Sequence, residues 1–278
     1  MLEVYNAFGL ALGLDWSSQR LTPTDTAPDW TVRRGPVPRR LPGGRRHGPL
    51  WETSDGLLLL HVPKVARYLI RPNHQVTVES EAEVTSQDIE TFLLGNVLGV
   101  LLTLSGRAVL QASAVVGPSG GMIFVGISGA GKSTLIDLLH QQGCDFISDE
   151  LVVLAENRLV PGPPYITLGR PRGSDWLVRR PNLARHLKPA RPGTPVLVRR
   201  VYDLSLWNGE QISLTRSSRR EGLEVLLRYT PSRSGLRALG LMSENFRQAS
   251  HLAGSDLEFW RARVPAGRLP ELAERIRS

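Results

Sequence analysis

Cysteine is all but absent from this 278-residue chain: Cys144 stands alone, so no disulfide can close within it. The fold must rest on a buried apolar core, and the chain is long enough to build one as a single large domain or two small ones. Lysine is nearly missing too. Lys64, Lys132 and Lys188 are the only three, so thirty-one of the thirty-four basic residues are arginine, and the formal net charge is +8. Each retained lysine is therefore informative. None of them lies in an Asn-Lys-x-Asp element, which excludes GTPase-type base recognition. A downstream Leu-Ser-Gly-Gly-Gln signature is also lacking; the one Leu-Ser-Gly, Leu104 to Gly106, comes too early for a transporter-type ATPase. The six histidines are scattered without metal-ligand spacing. The longest uncharged apolar run, residues 92–106, falls short of the roughly 20 residues that span a bilayer, so a buried core helix is expected there. The N-terminus has no basic region of the signal-peptide kind, and a cytoplasmic location is expected.

Pattern divides the chain near residue 83. The first part, residues 1–83, reads as β-rich: WTVRRG, LLLLHV, ARYLIR and QVTVES are short strand-like runs between Gly, Pro and Asn signals. Residues 35–49, GPVPRRLPGGRRHGP, read as a solvated, mobile loop. Its arginines could meet an acidic partner or nucleic acid, but no aromatic is interleaved to stack bases. Residues 84–278 form a second region. Thr85 caps a helix with Asp88 and Glu90 in its first turn, and Gly106 is placed to end it. AVLQASAVV and GMIFVG read as two strands with a tight connection, and CDFIS as a third. Asn208-Gly209 signals a hairpin between VYDLSL and EQISLT. Ser218 and Glu221 form a capping box, one helix is expected through residues 235–253, and a strand LEFWRARV and a helix LPELAERIR close the chain.

Chemistry is concentrated in VGISGAGKSTLIDLLHQQGCDFISDEL, residues 125–151. GISGAGKS fits G-x-x-x-x-G-K-[ST], with Gly126, Gly131, Lys132 and Ser133 at the fixed positions. Glycines let successive N–H groups turn inward onto phosphate oxygens, and the helix that follows adds its positive end. Lys132 is expected to neutralise β- and γ-phosphate charge, Ser133 to ligate Mg²⁺, and Thr134 to donate a further hydrogen bond. Ile127, Ser128, Gly129 and Ala130 complete the expected nucleotide-binding loop. Asp149 and Glu150 end the strand after the loop helix, seventeen positions beyond Lys132. If that strand shares the loop's sheet, its C-terminal acid points toward the phosphates. Arg170 and Arg172 could clamp phosphate or an acidic peptide terminus.

The stretch LQASAVVGPSGGMIFVGISGAGKSTLIDLLHQQGCDFISDELVVL resembles the core of HPr kinase/phosphorylase-related proteins, with a phosphate loop, a short helix and an acidic pair in this order. A longer pattern, through FLLGNVLGVLLTLSG, PGPPYITLG and GLEVLLRYT, resembles the small HPr kinase-like proteins that include lasso-peptide precursor kinases. The resemblance implies an α/β fold, a P-loop (HPr kinase-like) sheet core with a β-rich N-terminal region. It implies ATP and Mg²⁺ as cofactors and transfer of the γ-phosphate to a serine hydroxyl of a peptide or small protein, near the C-terminus of a precursor peptide. Asp149 takes the general-base position and, with Ser133 and Glu150, the metal position. The family carries His where this chain has Gln111, and Asp where it has Glu150. Glutamine can bond a phosphate but cannot shuttle a proton, so a catalytically weak nucleotide-binding regulator is the second reading. A sugar or nucleoside kinase is the third. The expected partner is the acceptor peptide or protein, with no membrane or nucleic acid involved; self-association is left open.

Overall fold

The computed structural model describes residues 2–168, 183–186 and 196–277. It is a mixed α/β protein with two large sheets, and it divides into two compact units: Met1–Arg107 with Pro231–Phe246, and Ala108–Thr230 with Arg247–Ser278.

The first unit opens with β1 (Glu3–Ala7), β2 (Leu10–Leu14), β3 (Thr22–Pro23), β4 (Trp30–Arg34), β5 (Arg45–His47), β6 (Trp51–Ser54), β7 (Leu57–Val62), β8 (Ala66–Arg71) and β9 (Gln75–Ser80). They form one sheet in the order β3-β1-β2-β4-β9-β8-β7-β6-β5. The four runs expected as strands are β4, β7, β8 and β9. A helix then runs from Ser86 to Leu104 as α1 (Ser86–Phe92), a π-helical stretch Leu93–Val97 and α2 (Leu98–Leu104). Thr85 caps it as expected: its hydroxyl accepts from the Asp88 N–H at 3.2 Å, and its own N–H donates to the Asp88 carboxylate at 3.0 Å. By length and composition this helix could cross a membrane, yet 61% of its apolar window is buried inside the protein. Leu93, Val97, Val100, Leu101 and Leu102 are fully enclosed, which explains a helix apolar on nearly every side.

The second unit holds β10 (Ala108–Leu110), β11 (Ser113–Gly117), β12 (Gly120–Val125), α3 (Lys132–Gln141), β13 (Asp145–Ser148), β14 (Val152–Ala155), β15 (Arg158–Val160), β16 (Tyr165–Leu168), β17 (Leu183–His186), β18 (Val196–Trp207), β19 (Ser213–Ser217) and α4 (Arg219–Arg228). After α5 (Arg233–Ala238), which belongs to the first unit, α6 (Met242–Gly254) crosses the division, and β20 (Glu258–Pro265) and α7 (Leu269–Ile276) end the chain. The main sheet runs β10-β14-β15-β18-β12-β11-β13, with β20 also on β18 and β19 on β20. Its two faces are covered separately. Leu135, Ile136 and Leu139 of α3 and Leu272 and Ile276 of α7 pack on Phe124, Phe146 and Leu204. Val225 and Leu226 of α4 and Leu252 of α6 pack on Ile123, Val125 and Val201.

Three expectations are corrected. AVLQASAVV is two strands: β10 pairs with β14, whereas β11 pairs with β12 and β13. The break comes where the Gln111 N–H leaves the ladder for the Tyr229 carbonyl at 2.7 Å, and the Ala112 N–H for the Glu150 carbonyl at 3.1 Å. Asn208-Gly209 is not a hairpin turn, because β20 lies between the two strands, parallel to β18 and antiparallel to β19. Burial of Phe259, Ala262 and Val264 favours that insertion. The helix expected over 235–253 is two helices. A Schellman motif ends α5: Gly240 has φ +72°, its N–H donates to the Arg237 carbonyl, and the Leu241 N–H reaches Leu236 at 2.9 Å.

Candidate functional site

Strand directions bring the chemistry to one edge of the second unit. β11 is antiparallel to both β12 and β13, so β12 and β13 run the same way and end on the same side of the sheet. β12 delivers the glycine loop there, and β13 delivers Asp149 and Glu150. β11 starts at this edge with Gln111 and Ser113.

The loop turns sharply at Gly126, which has φ +152°. A Cβ at Gly126 would fall 2.5 Å from the Leu204 carbonyl oxygen of the neighbouring β18, so no other residue fits this backbone. Ile127, Ser128 and Gly129 are exposed, Ala130 is buried, and the Ala130 N–H donates to the Ile127 carbonyl at 3.1 Å. Gly131 precedes α3 in the left-handed region, φ +93°, with no side chain capping the helix. The N-terminal turn of α3 thus begins directly at the loop. Lys132 folds back, its Nζ donating to the carbonyls of Gly126 at 2.7 Å and Ile127 at 3.1 Å. Thr134 lies exposed on the first turn.

Asp149 is 8% exposed and receives two hydroxyls. Ser133 Oγ lies 2.9 Å from Oδ2 and 3.1 Å from Oδ1, and Ser113 Oγ donates to Oδ1 at 2.5 Å. Ser113 is itself wholly buried, on the strand between the loop strand and the acid's strand. Sequence reasoning passed over Ser113. Its one signal is a small hydroxyl in an apolar strand, and its partner depends on which strands pair. Glu150 follows with φ +71°, an unusual backbone for glutamate. The Leu151 N–H bonds the Asp149 carbonyl at 2.9 Å around it, which makes a three-residue γ-turn. Next to it, Ser148 Oγ is buried without a hydrogen-bond partner among the described residues.

Gln111 is exposed at the same edge and is tied by its backbone to Tyr229. The Tyr229 hydroxyl donates to Asp203 Oδ1 at 3.1 Å, and Arg228 stands 3.6 Å from Oδ2. Burial and then the Asp203 carboxylate push the Tyr229 phenol up, so it remains a neutral donor. Asp203 is paired with Val125, the residue before the loop, and was also overlooked in the sequence. Arg170 and Arg172 lie outside the described residues.

A hydroxyl and two carboxylates are hard oxygen donors of the kind Mg²⁺ takes, its shell completed by phosphate and water. Among the described residues no group of three or more His, Cys, Asp or Glu could hold a metal by itself. The edge thus combines a glycine turn at a helix N-terminus, a lysine, a hydroxyl and two carboxylates.

No family model matches this sequence, and no curated protein matches it. Among solved structures it is similar to the HPr(Ser) kinase/phosphatase from Coxiella burnetii, at 14% identity over 60% of this chain and 92% of that one, with a TM-score of 0.29. A superposition of that quality defines neither this chain's fold nor its chemistry.

Proposed function

We propose that this protein is an ATP- and Mg²⁺-dependent phosphotransferase, moving the γ-phosphate to a serine hydroxyl of a peptide or small protein. The observation that carries the proposal is the contact between Ser133 and Asp149, at 2.9 Å, beside a glycine turn that leads into α3. It puts a loop hydroxyl and a strand-end carboxylate where one divalent cation could meet both, next to N–H groups suited to an anion. When bound, the nucleotide supplies the phosphoryl group and the metal neutralises its charge. Lys132, now on the Gly126 and Ile127 carbonyls, would be the residue to bind the phosphate oxygens. Asp149 and Glu150 would hold the metal, and Asp149 would also orient the acceptor hydroxyl and take its proton. The Ser133 contact supports the metal role of Asp149; its base role, and a lasso-type precursor peptide as acceptor, rest on the sequence resemblance.

A regulator that binds nucleotide without turnover is the second reading, favoured by Gln111, which stands exposed at this edge where a histidine would shuttle a proton. Incubation with ATP, Mg²⁺ and serine-containing peptides, followed by mass measurement, separates the two. A gain of about 80 Da, one added phosphate, supports transfer. Nucleotide binding without any modified acceptor supports the regulator, and turnover on free sugars or nucleosides alone would instead make it a small-molecule kinase. Lys132→Ala is expected to weaken nucleotide binding. Asp149→Asn is expected to keep it and lower transfer by about 10²–10⁴-fold. Near-normal transfer by Asp149→Asn overturns the role given to that carboxylate.

A further inference from the structure

The arginine-rich segment between β4 and β5 is not the free loop its composition suggests. Val37 and Leu41 are buried and pack on Leu59 and Leu69 of the first unit's sheet. The Val37 N–H donates to Glu79 Oε2 at 2.6 Å, and Arg67 Nε donates to the Val37 carbonyl at 3.2 Å. The Leu41 N–H donates to the buried Glu52 Oε1 at 2.9 Å, and Ser54 Oγ to the Pro42 carbonyl at 2.6 Å. The segment is thus fastened at both ends and in the middle.

That fastening engages the nearby acids. Glu52 serves the Leu41 amide, while Glu79 and Glu81 stand 3.0 and 3.4 Å from Arg67. Arg39, Arg40, Arg45 and Arg46 are exposed, and none has an ion-pair partner among the described residues. Arg39, Arg40 and Arg46 border a small groove whose lining also includes His61 and Glu52, the latter already engaged by the Leu41 amide. The strand register explains the juxtaposition: Arg46 pairs with Glu52, and Glu52 with Leu59. His61 is held below the usual histidine value, first by burial and then by Arg67, with Arg40 and Arg39 adding to the effect against Glu81. It is therefore neutral at pH 7 and can donate or accept one hydrogen bond.

Guanidinium groups held near one another repel, and a mobile segment would let them spread apart. Fastening them beside one another presets a surface for a ligand that carries carboxylates. Guanidinium forks match carboxylates in pairs. Nucleic acid fits less well: Trp51, the aromatic in this groove, is 5% exposed and offers no face for a base. We propose that this groove docks an acidic peptide segment, with Arg39, Arg40 and Arg46 meeting its carboxylates. The proposal is independent of phosphotransfer, and its test uses no nucleotide.

The test is fluorescence anisotropy of the full chain with a dye-labelled peptide repeating Asp, Glu and Leu, at low ionic strength. The peptide with Asn and Gln in place of the acids and a DNA duplex serve as competitors. The acidic peptide is expected to bind at least about tenfold more tightly than its amide counterpart. The combined Arg39→Glu, Arg40→Glu and Arg46→Glu variant is expected to lose about tenfold or more, as fits three exposed ion pairs, and the corresponding Gln variant part of that. A control with Arg199→Glu, Arg219→Glu and Arg220→Glu removes the same net charge from the second unit and is expected to bind as the parent does. Circular dichroism checks that the variants fold. Equal losses in both triple variants would mean net charge alone and would overturn the proposal. So would no binding by the parent chain, or DNA outcompeting the peptide through the same three arginines.

Discussion

Two serines direct their protons at one carboxylate. Ser133 comes from the loop side and Ser113 from the neighbouring strand, so Asp149 is oriented by a half-buried hydroxyl on one side and a buried one on the other. With a metal bound, Ser133 would be one of its ligands, and Ser113 would go on donating to Oδ1. Ser113→Ala should therefore lower transfer by about 10–100-fold, the usual effect of removing a group that orients a metal-site ligand, with nucleotide affinity kept. Steady-state kinetics beside a nucleotide titration check this, and Ser113→Thr, which retains the hydroxyl, should recover part of the rate. The loop lysine and the acid pair were legible in the sequence because their spacing is fixed within one short stretch. Ser113 was not, because its relation to Asp149 exists only once β11 lies between β12 and β13. Asp203 was hidden for the same reason, being set beside Val125 by a parallel pairing of distant strands.

Among the elements, the turn at Asp149 to Leu151 carries a backbone cost. Glu150 sits at φ +71°, where an L-residue with a side chain is disfavoured by about 1–2 kcal/mol. Glu150→Gly should raise the unfolding free energy by about 1 kcal/mol in urea titrations while impairing transfer through loss of the carboxylate. A stabilised variant with full activity would show that this acid plays no part in the chemistry. Elements marked by local signals were readable: the Thr85 and Ser218 capping boxes both form, each with its acid at the third helical position. Elements decided by distant partners were not. The Asn208-Gly209 signal describes a turn that two adjacent strands would make, but the better-buried β20 takes the place beside β18. The apolar period across residues 235–253 hid the stop at Gly240, which depends on backbone handedness and not on side-chain pattern.

For the molecule as a whole, the β-rich start and the α/β remainder were legible from alternation and turn residues. The compact units follow contacts instead, and the first takes in the Ser86–Leu104 helix and a distant segment, Pro231–Phe246. That unit contains a carboxylate whose ionisation works against folding. Glu90 is 3% exposed and accepts from Trp16 Nε1 at 2.9 Å; burial raises its proton affinity despite the opposing effects of Trp16, Arg20 and Ser18. A folded-state value above the unfolded one means its stabilising contribution is full below the unfolded value, about 4.3, and is lost as pH rises through the folded one. Glu90→Gln keeps an acceptor for Trp16 and should raise stability at pH 7, with the gain vanishing near pH 4. Paired urea titrations at the two pH values would show it.

The order of strands β12, β11 and β13 has a further bearing on assembly. Ser113, Ser133 and Asp149 all come from one short run of chain, a hairpin, a helix and a returning strand, so bringing them together closes only modest loops. Contacts so local can form early, before β18 and β20 arrive from far along the chain to complete the sheet. The constellation is in that sense a self-contained cassette, and the later strands brace it without having to create it.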